Sequence, residues 1–242
     1  MLRASFACAF VGLVACSSLG AVSLVTNEAV FGTNDTIDWA QFGPRGANVP
    51  GFIGANSAGG RSLWAESFSS DLSGLSRVDQ WAGNPDPFTG WAGNFAAGEQ
   101  LLSVSGADLV TPPTTDARLN LRFTDAIQGF GAQFDANFSN SWMMHIQAFD
   151  AEDNLLGLFD LSMKRSGGFA DNTAQFMGVR SDTANIARLE IWATAIYSTG
   201  NGPTIAPDYF AMNFGRLVIP SPGTFVLAMG AALIANTRRR NL

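Results

Sequence analysis

The chain has 242 residues, a length that suits one domain of ordinary to large size. Charged residues make up 14% of the sequence, below the ~25% usual for soluble globular proteins, and aromatic residues make up 11%. This combination excludes intrinsic disorder, because the chain has ample apolar surface to bury. The net charge of −6 argues against nucleic acid as a partner, since neutralising phosphates takes a concentrated basic face.

Residues 1–21 have the pattern of a secretory signal peptide. Arg3 precedes an apolar run at 4–15, and small residues follow it. The run is shorter than the ~20 apolar residues that a transmembrane helix takes. We therefore expect a signal helix that is removed on export. As an alternative, the residues ending in Cys16 resemble the lipobox of bacterial lipoproteins, in which the cysteine is lipidated.

Residues 22–218 form the predicted domain, with 10 basic and 20 acidic residues and hence a net charge of −10. Apolar and polar residues alternate in several short runs separated by Gly, Asn and Asp. This alternation is typical of antiparallel strands with one buried face. The buried positions are expected to be Leu119, Leu121, Phe123, Phe130, Ala132, Phe134, Met144, Ile146, Ala148, Leu189, Ile191, Ala193, Phe210, Met212 and Phe214.

The first half of this domain alternates less clearly, and we predict strands at 36–41 and 101–104 joined by long loops. The predicted fold is all-β: an antiparallel, jelly-roll-like β-sandwich between an N-terminal signal helix and a C-terminal hydrophobic helix.

The sequence offers little catalytic chemistry. Both cysteines, Cys8 and Cys16, lie in the signal segment, and His145 is the single histidine. An ordinary His/Cys zinc site therefore cannot be built in the mature chain. A Ser-His-Asp triad would need His145, and the sequence has no Gly-x-Ser-x-Gly elbow to present a serine. We predict no catalytic residues and no enzymatic activity.

An acidic cluster invites a calcium hypothesis. Asp150, Glu152, Asp153 and Asn154 place several hard oxygens within one turn, the ligands that calcium takes. The alternative is a plain hairpin turn, because Asp and Asn stabilise turns without an ion. No other cofactor is expected.

Six tryptophans raise the possibility of carbohydrate binding, since aromatic faces stack on sugar rings. Trp81 and Trp91 lie in Gly-rich stretches that we predict to be loops, where ligand contacts tend to occur. Trp192 lies on the polar face of its predicted strand. The alternative at each position is a tryptophan that fills an end of the core.

The C-terminal segment 219–242 has three parts: Pro220, Ser221 and Pro222, then an apolar run at 225–235, then the cluster Arg238, Arg239 and Arg240. The run is short for a ~30 Å hydrocarbon core, and the arginines would keep the C-terminus in the cytoplasm.

This arrangement resembles the PEP-CTERM sorting signal of exported bacterial proteins, with Ser221 where glutamate is usual. The resemblance implies recognition by an exosortase, transient anchoring in the inner membrane, and a β-rich domain at the cell surface or outside the cell. A plain membrane anchor is the alternative.

We therefore expect an exported surface protein with a structural or adhesive role in an exopolysaccharide matrix. A carbohydrate-binding module that uses Trp81, Trp91 or Trp192 is the second hypothesis, and a lipoprotein anchored at Cys16 is the third. The expected partners are the sorting enzyme, the inner membrane and a polysaccharide, but not nucleic acid.

Overall fold

The computed structural model describes residues 20–68, 75–80, 90–104, 117–136, 140–199 and 202–220. Within them the chain forms 17 strands and two short 3₁₀ turns, Glu28–Val30 and Trp39–Phe42. The strands are β1 (Val22–Val25), β2 (Asp35–Ile37), β3 (Asn48–Val49), β4 (Phe52–Asn56), β5 (Ser62–Phe68), β6 (Leu75–Gln80), β7 (Gly90–Trp91), β8 (Gln100–Val104), β9 (Arg118–Ile127), β10 (Gly129–Ala136), β11 (Ser141–Phe149), β12 (Leu155–Lys164), β13 (Gln175–Ser181), β14 (Ile186–Thr199), β15 (Gly202–Asp208), β16 (Phe210–Met212) and β17 (Gly215–Val218).

The strands form two sheets. The ten-stranded sheet has the order β1-β13-β10-β16-β8-β6-β3, with β17 beside β10 and β2 and with β7 beside β6. The seven-stranded sheet has the order β12-β11-β14-β9-β5-β4, with β15 beside β14. Among the described pairs only β6 and β7 run parallel.

The alternation predicted from the sequence is confirmed in β9, β10, β11 and β14. The inward-facing apolar residues of these strands are buried in one cluster that takes side chains from both sheets. Leu189 and Ile146 come from the seven-stranded sheet, and Phe130 and Phe210 from the ten-stranded one. The two sheets therefore face each other across a shared core, as in a β-sandwich. The jelly-roll connectivity stays a prediction.

The predicted strand at 36–41 is wrong in its second half, whereas the one at 101–104 is confirmed as β8. β2 ends at Ile37, and the Asp38 carboxylate accepts a hydrogen bond of 2.8 Å from the Ala40 amide. This cap starts a 3₁₀ turn. The turn buries Trp39, whose indole N–H donates to the Asn213 carbonyl at 2.7 Å.

The outer face of the ten-stranded sheet is covered by the protein's own chain. Residues of segments 90–99 and 165–174 pack on outward-facing Val78, Leu101 and Ala211 in a second apolar cluster. A third cluster places Phe31 and Phe176 on the same face, where a Cβ at position 131 would lie 2.5 Å from the Phe176 ring. Glycine at that position lets the ring lie close to the sheet.

The two predicted export segments lie outside the described residues, apart from Gly20, Ala21, Ile219 and Pro220. At the C-terminal end of the domain, the Asn34 side chain bonds both the amide and the carbonyl of Ile219, each at 2.8 Å. No helix among the described residues is long and apolar enough to cross a membrane. The signal helix and the C-terminal helix therefore stay predictions.

Candidate functional site: the outer face of the seven-stranded sheet

Three rows of side chains cross the outer face of the seven-stranded sheet, the face turned away from the core. Strand register places them in line, one side chain per strand, about 4.8 Å apart. The first row is Phe149, Arg188, Arg122 and Trp64. The second row is Gln147, Glu190, Asn120, Glu66 and Phe52. The third row is Asp160, His145 and Trp192, with Arg118 packed against Trp192.

Two exposed aromatic rings stand together at one end of the first two rows. Phe52 is 54% exposed and Trp64 is 45% exposed. Their rings stack with centroids 4.8 Å apart and planes 5° apart. The indole lies over Gly54 of the neighbouring strand, where a Cβ would approach it to 3.3 Å. The stack uses one face of each ring and leaves the other face outside the pair.

Trp192 lies on the outer face, as its place in the alternation predicts. Side chains from two neighbouring strands, however, pack against its ring. The His145 ring stacks on it at 4.8 Å and 10°, and the Arg118 guanidinium lies 4.3 Å from its centroid. Only 8% of Trp192 is exposed. The ring is therefore enclosed within the sheet surface, and a sugar could stack on it only after a neighbour moved.

His145 is held by two side-chain hydrogen bonds. Its Nδ1 lies 2.7 Å from Asp160 Oδ1, and its Nε2 lies 2.9 Å from Thr194 Oγ1. Hydroxyl, imidazole and carboxylate follow the order of a hydrolytic triad. Thr194, however, is paired to β11 on one side and β15 on the other. The Thr194 backbone is therefore part of the sheet. A hydrolytic triad also needs hydrogen-bond donors aimed at an oxyanion next to the nucleophile. We infer that the hydrogen bonds with Asp160 and Thr194 hold the His145 imidazole flat on the Trp192 ring.

Charged side chains alternate along the same face. Asp153 Oδ1 lies 2.7 Å from Arg188 Nε and 4.0 Å from Arg122 Nη1. Glu190 in turn pairs with Arg188 and with Arg118. These three guanidinium groups and two carboxylates carry a net charge of +1, within a domain whose net charge is −10.

A depression of about 250 Å³ lies at the end of the sheet next to this chain of charges. Arg122, Arg188 and Thr124 line it together with Asp150 and Asp153 of the β11–β12 turn. Since Arg122 and Trp64 are direct cross-strand partners, the depression lies beside the exposed aromatic pair.

The turn proposed for calcium is held by its own hydrogen bonds. Asp150 accepts from the amides of Glu152 and Asn154 at 3.0 and 2.8 Å, and from the Asn154 side chain at 2.9 Å. Bonding from Asn154 lowers the pKa of the Asp150 carboxyl. Asp153 faces Arg188, and no group of three or more His, Cys, Asp or Glu residues able to hold a metal occurs in the described part of the chain. The structure thus places these four residues in a hairpin turn, and calcium binding there stays a prediction.

Trp91, the second tryptophan singled out for glycan binding, belongs to covering segment 90–99 of the other sheet, and its side chain is buried in the second apolar cluster. It is 2% exposed, and its indole N–H donates to Asp135 Oδ2 at 3.0 Å. Asp135 is fully buried and also receives Arg165 Nε and Nη2 at 3.2 and 3.0 Å. Burial raises the pKa of the Asp135 carboxyl, although Arg165 opposes that effect. Trp91 therefore offers no exposed ring face.

A second polar network fixes the same covering segments. Asp171 accepts from the hydroxyls of Ser166 and Thr173, both at 2.6 Å, and from the Asn94 side chain at 2.9 Å. These bonds, that of Ser166 first, hold the pKa of the Asp171 carboxyl far below its ordinary range. They tie segment 90–99 to segment 165–174.

The remaining predicted site residues lie outside the described residues: Cys16, Trp81, Ser221, Pro222 and Arg238 to Arg240. Sequence reasoning missed the Phe52–Trp64 pair. A signal for Trp64 was present, because Ser62, Trp64 and Glu66 alternate with Leu63 and Ala65, which places the tryptophan on a polar face.

Comparisons with known proteins give no family for the chain. No family model matches it, and no curated protein matches it significantly. Among solved structures it resembles a DUF4465 family protein from Bacteroides caccae, with TM-score 0.41, 10% identity, and coverage of 82% of this chain and 100% of that one.

Two further likenesses are weaker. The enzymatically active domain of bacteriophage CBA120 tailspike protein 4 has TM-score 0.32 and 13% identity over 64% of this chain and 19% of that chain. TmCBM61, solved in complex with β-1,4-galactotriose, has TM-score 0.26 and 8% identity over 65% of this chain and 88% of that one. All three likenesses are too distant to carry a functional assignment.

Proposed function

We propose that the chain is an exported protein of the bacterial cell surface whose β-domain binds polysaccharide on the outer face of the seven-stranded sheet. Its role is adhesive or structural within an exopolysaccharide matrix, and it performs no catalysis. The observation that carries the binding proposal is the exposed, stacked Phe52–Trp64 pair.

Contiguous exposed aromatic surface is uncommon on folded domains, because burying an aromatic ring stabilises a protein more than leaving it in water does. A sugar ring has apolar C–H faces for stacking and hydroxyls at its rim. The Phe52–Trp64 pair supplies the stacking surface, and Glu66, directly opposite Phe52 in the second row, supplies a carboxylate beside it. Aromatic and hydrogen-bonding groups are thus adjacent on one face, the combination that polysaccharide binding requires.

Asn120 adds a hydrogen-bonding reason. It is 1% exposed, and within the described part of the chain its Oδ1 receives no hydrogen bond. A buried acceptor without a donor costs about 1–3 kcal/mol. A ligand hydroxyl that reached Asn120 would remove that cost.

Binding is tested with the full chain in mild detergent, by affinity electrophoresis through gels that contain neutral and acidic polysaccharides. Trp64→Ala is expected to weaken the affinity measured from the retardation about fivefold, because one stacking ring contributes on the order of 1 kcal/mol. Phe169→Ala is the matched control. It also removes an exposed aromatic ring, but from segment 165–174, which covers the other sheet. Equal loss in both variants, or no retardation of the native chain by any glycan, would contradict the proposal.

The sorting part of the proposal rests on Pro220, Ser221 and Pro222, the apolar run and the three terminal arginines. Deletion of residues 221–242 leaves the Asn34–Ile219 bonds in place. The truncated protein is expected in the culture medium, while the full chain stays cell-associated, as fractionation and immunoblotting would show. Truncated protein that remains with the membrane would refute the tail as the anchor. A Cys16→Ser variant tests the lipoprotein alternative in the same assay.

A further inference from the structure

We propose that this face selects acidic sugars: a ring bearing a carboxylate stacks on Trp64 while the carboxylate binds the Arg122 guanidinium. The inference rests on the proposed polysaccharide binding and names its substrate class. It makes Arg122 the specificity-determining residue.

Among the three arginines of this chain of charges, Arg122 has the longest ion pair. Arg188 has Asp153 at 2.7 Å and Glu190 in direct contact. The ion pair that the structure gives Arg122 is 4.0 Å long, to the same Asp153 oxygen that Arg188 already holds. The Arg122 side chain is 49% exposed. Its planar fork of N–H donors is therefore open to a second acceptor.

The position of Arg122 relative to Trp64 suits one sugar residue. The two are directly opposed across β9 and β5, and both point outward. Directly opposed side chains in an antiparallel pair have Cβ atoms about 4.5–5.5 Å apart. A ring stacked on the indole thus presents its rim to the guanidinium. The adjoining depression of about 250 Å³ gives room for the substituent.

Carboxylate is the anionic group that we assign, because its two coplanar oxygens match the guanidinium fork. The net charge of −10 on the domain opposes an acidic ligand only at long range. At physiological ionic strength such interactions are screened beyond about 8 Å. Within that distance Arg122 and Arg188 share a single carboxylate, that of Asp153, so two guanidinium groups are balanced by one acid there.

Neighbouring carboxylates have other partners or other positions. Asp150 is engaged by donors of its own turn. Glu66 lies in the second row, opposite Asn120 and Phe52. It therefore stands one row away from the opposed pair of Trp64 and Arg122.

The experiment compares polygalacturonate with its fully methyl-esterified form, which keeps the ring and loses the charge. The full chain is titrated with soluble fragments of each by calorimetry at 50 and 300 mM salt. The native chain is expected to bind the acid about tenfold more tightly than the ester, and the preference should shrink as salt rises. Arg122→Gln is expected to abolish the preference by weakening binding of the acid alone, and Trp64→Ala to weaken binding of both forms.

Arg61→Gln is the matched control. It removes the same charge from the β4–β5 hairpin, where Arg61 is paired with Asp125 at 2.8 Å. We expect it to leave the preference for the acid intact. Equal affinity of the native chain for acid and ester, or loss of the preference in Arg61→Gln as well, would overturn the assignment while the polysaccharide proposal stands. Failure to bind either form would overturn both.

Discussion

The outer faces of the two sheets differ in how far the protein's own chain covers them. On the ten-stranded sheet, segments 90–99 and 165–174 cover the surface, and Trp91 of the first segment is buried between them and the sheet. On the seven-stranded sheet, the described chain leaves Phe52 and Trp64 half exposed amid rows of charged and amide side chains. Trp91 on the first face is part of the buried structure, whereas Trp64 on the second face keeps an exposed ring. The difference teaches that residue type alone does not separate a structural tryptophan from a binding one.

The largest expected effect tests whether Asp135 fastens the covering segments. Asp135→Ala leaves Arg165 without its buried carboxylate and the Trp91 indole without its acceptor. Removing one partner of a buried ion pair costs about 3–5 kcal/mol, and urea denaturation should show that loss in the free energy of unfolding. The control is Asp125→Ala, whose side chain is 65% exposed, with an expected change of about 1 kcal/mol or less. Similar changes in the two variants would show that Asp135 has no special structural role.

The next comparison sets the two tryptophans against each other. Trp91→Ala should lower the free energy of unfolding by about 3–5 kcal/mol, because it empties a buried site. Trp64→Ala should lower it by about 1 kcal/mol, the contribution of one exposed aromatic contact. Thermal and chemical denaturation of both variants measures the contrast. Equal destabilisation would mean that Trp64 also serves mainly the fold, and it would weaken the case for a binding face.

The smallest effect is a pH dependence of the segments that cover the ten-stranded sheet. Hydrogen bonds from Ser166, Thr173 and Asn94 lower the pKa of Asp171 from its ordinary value of 3.8. A lowered native pKa contributes stability above the unfolded-state pKa, and this stability is lost as the pH falls below it. Asp171→Asn should thus be less stable than the native protein at pH 7, and the gap should close as the pH falls below 3.8.

Urea denaturation from pH 7 to pH 2.5 follows this gap. Asp160→Asn on the open face is the comparison variant, since Asp160 is half exposed and bonds only His145 among the contacts described above. A gap for Asp171→Asn that stays constant over this range would show that the hydrogen bonds from Ser166 and Thr173 do not depend on the charge of the carboxylate.

The alternation of apolar and polar residues was enough to predict the strands that form the centre of the sandwich. Leu119, Leu121 and Phe123 could be assigned to a buried face because period two is a local property of a strand. The 3₁₀ turn at Trp39–Phe42 could not be predicted in this way. Asp38 caps the turn locally. The indole of Trp39, however, is held by Asn213, which lies 174 positions away in the sequence.

The candidate site shows the same division. Sequence placed Trp192 on a polar face but gave no sign that His145 and Arg118, from two other strands, would enclose its ring. It likewise could not show that Trp64 would stack on Phe52 and lie opposite Arg122, since both contacts depend on strand register.

By itself, then, the sequence determined the β-class of the domain and its acidic charge, and it predicts an export signal at each end. These are properties of composition and of short periodicities. Which tryptophans are covered and which remain open was decided only by the tertiary structure. One sheet face is covered by segments that are distant in the sequence, as the hydrogen bond between Asn94 and Asp171 shows. On the outer face of the other sheet, the register between strands determines which side chains lie beside each aromatic ring.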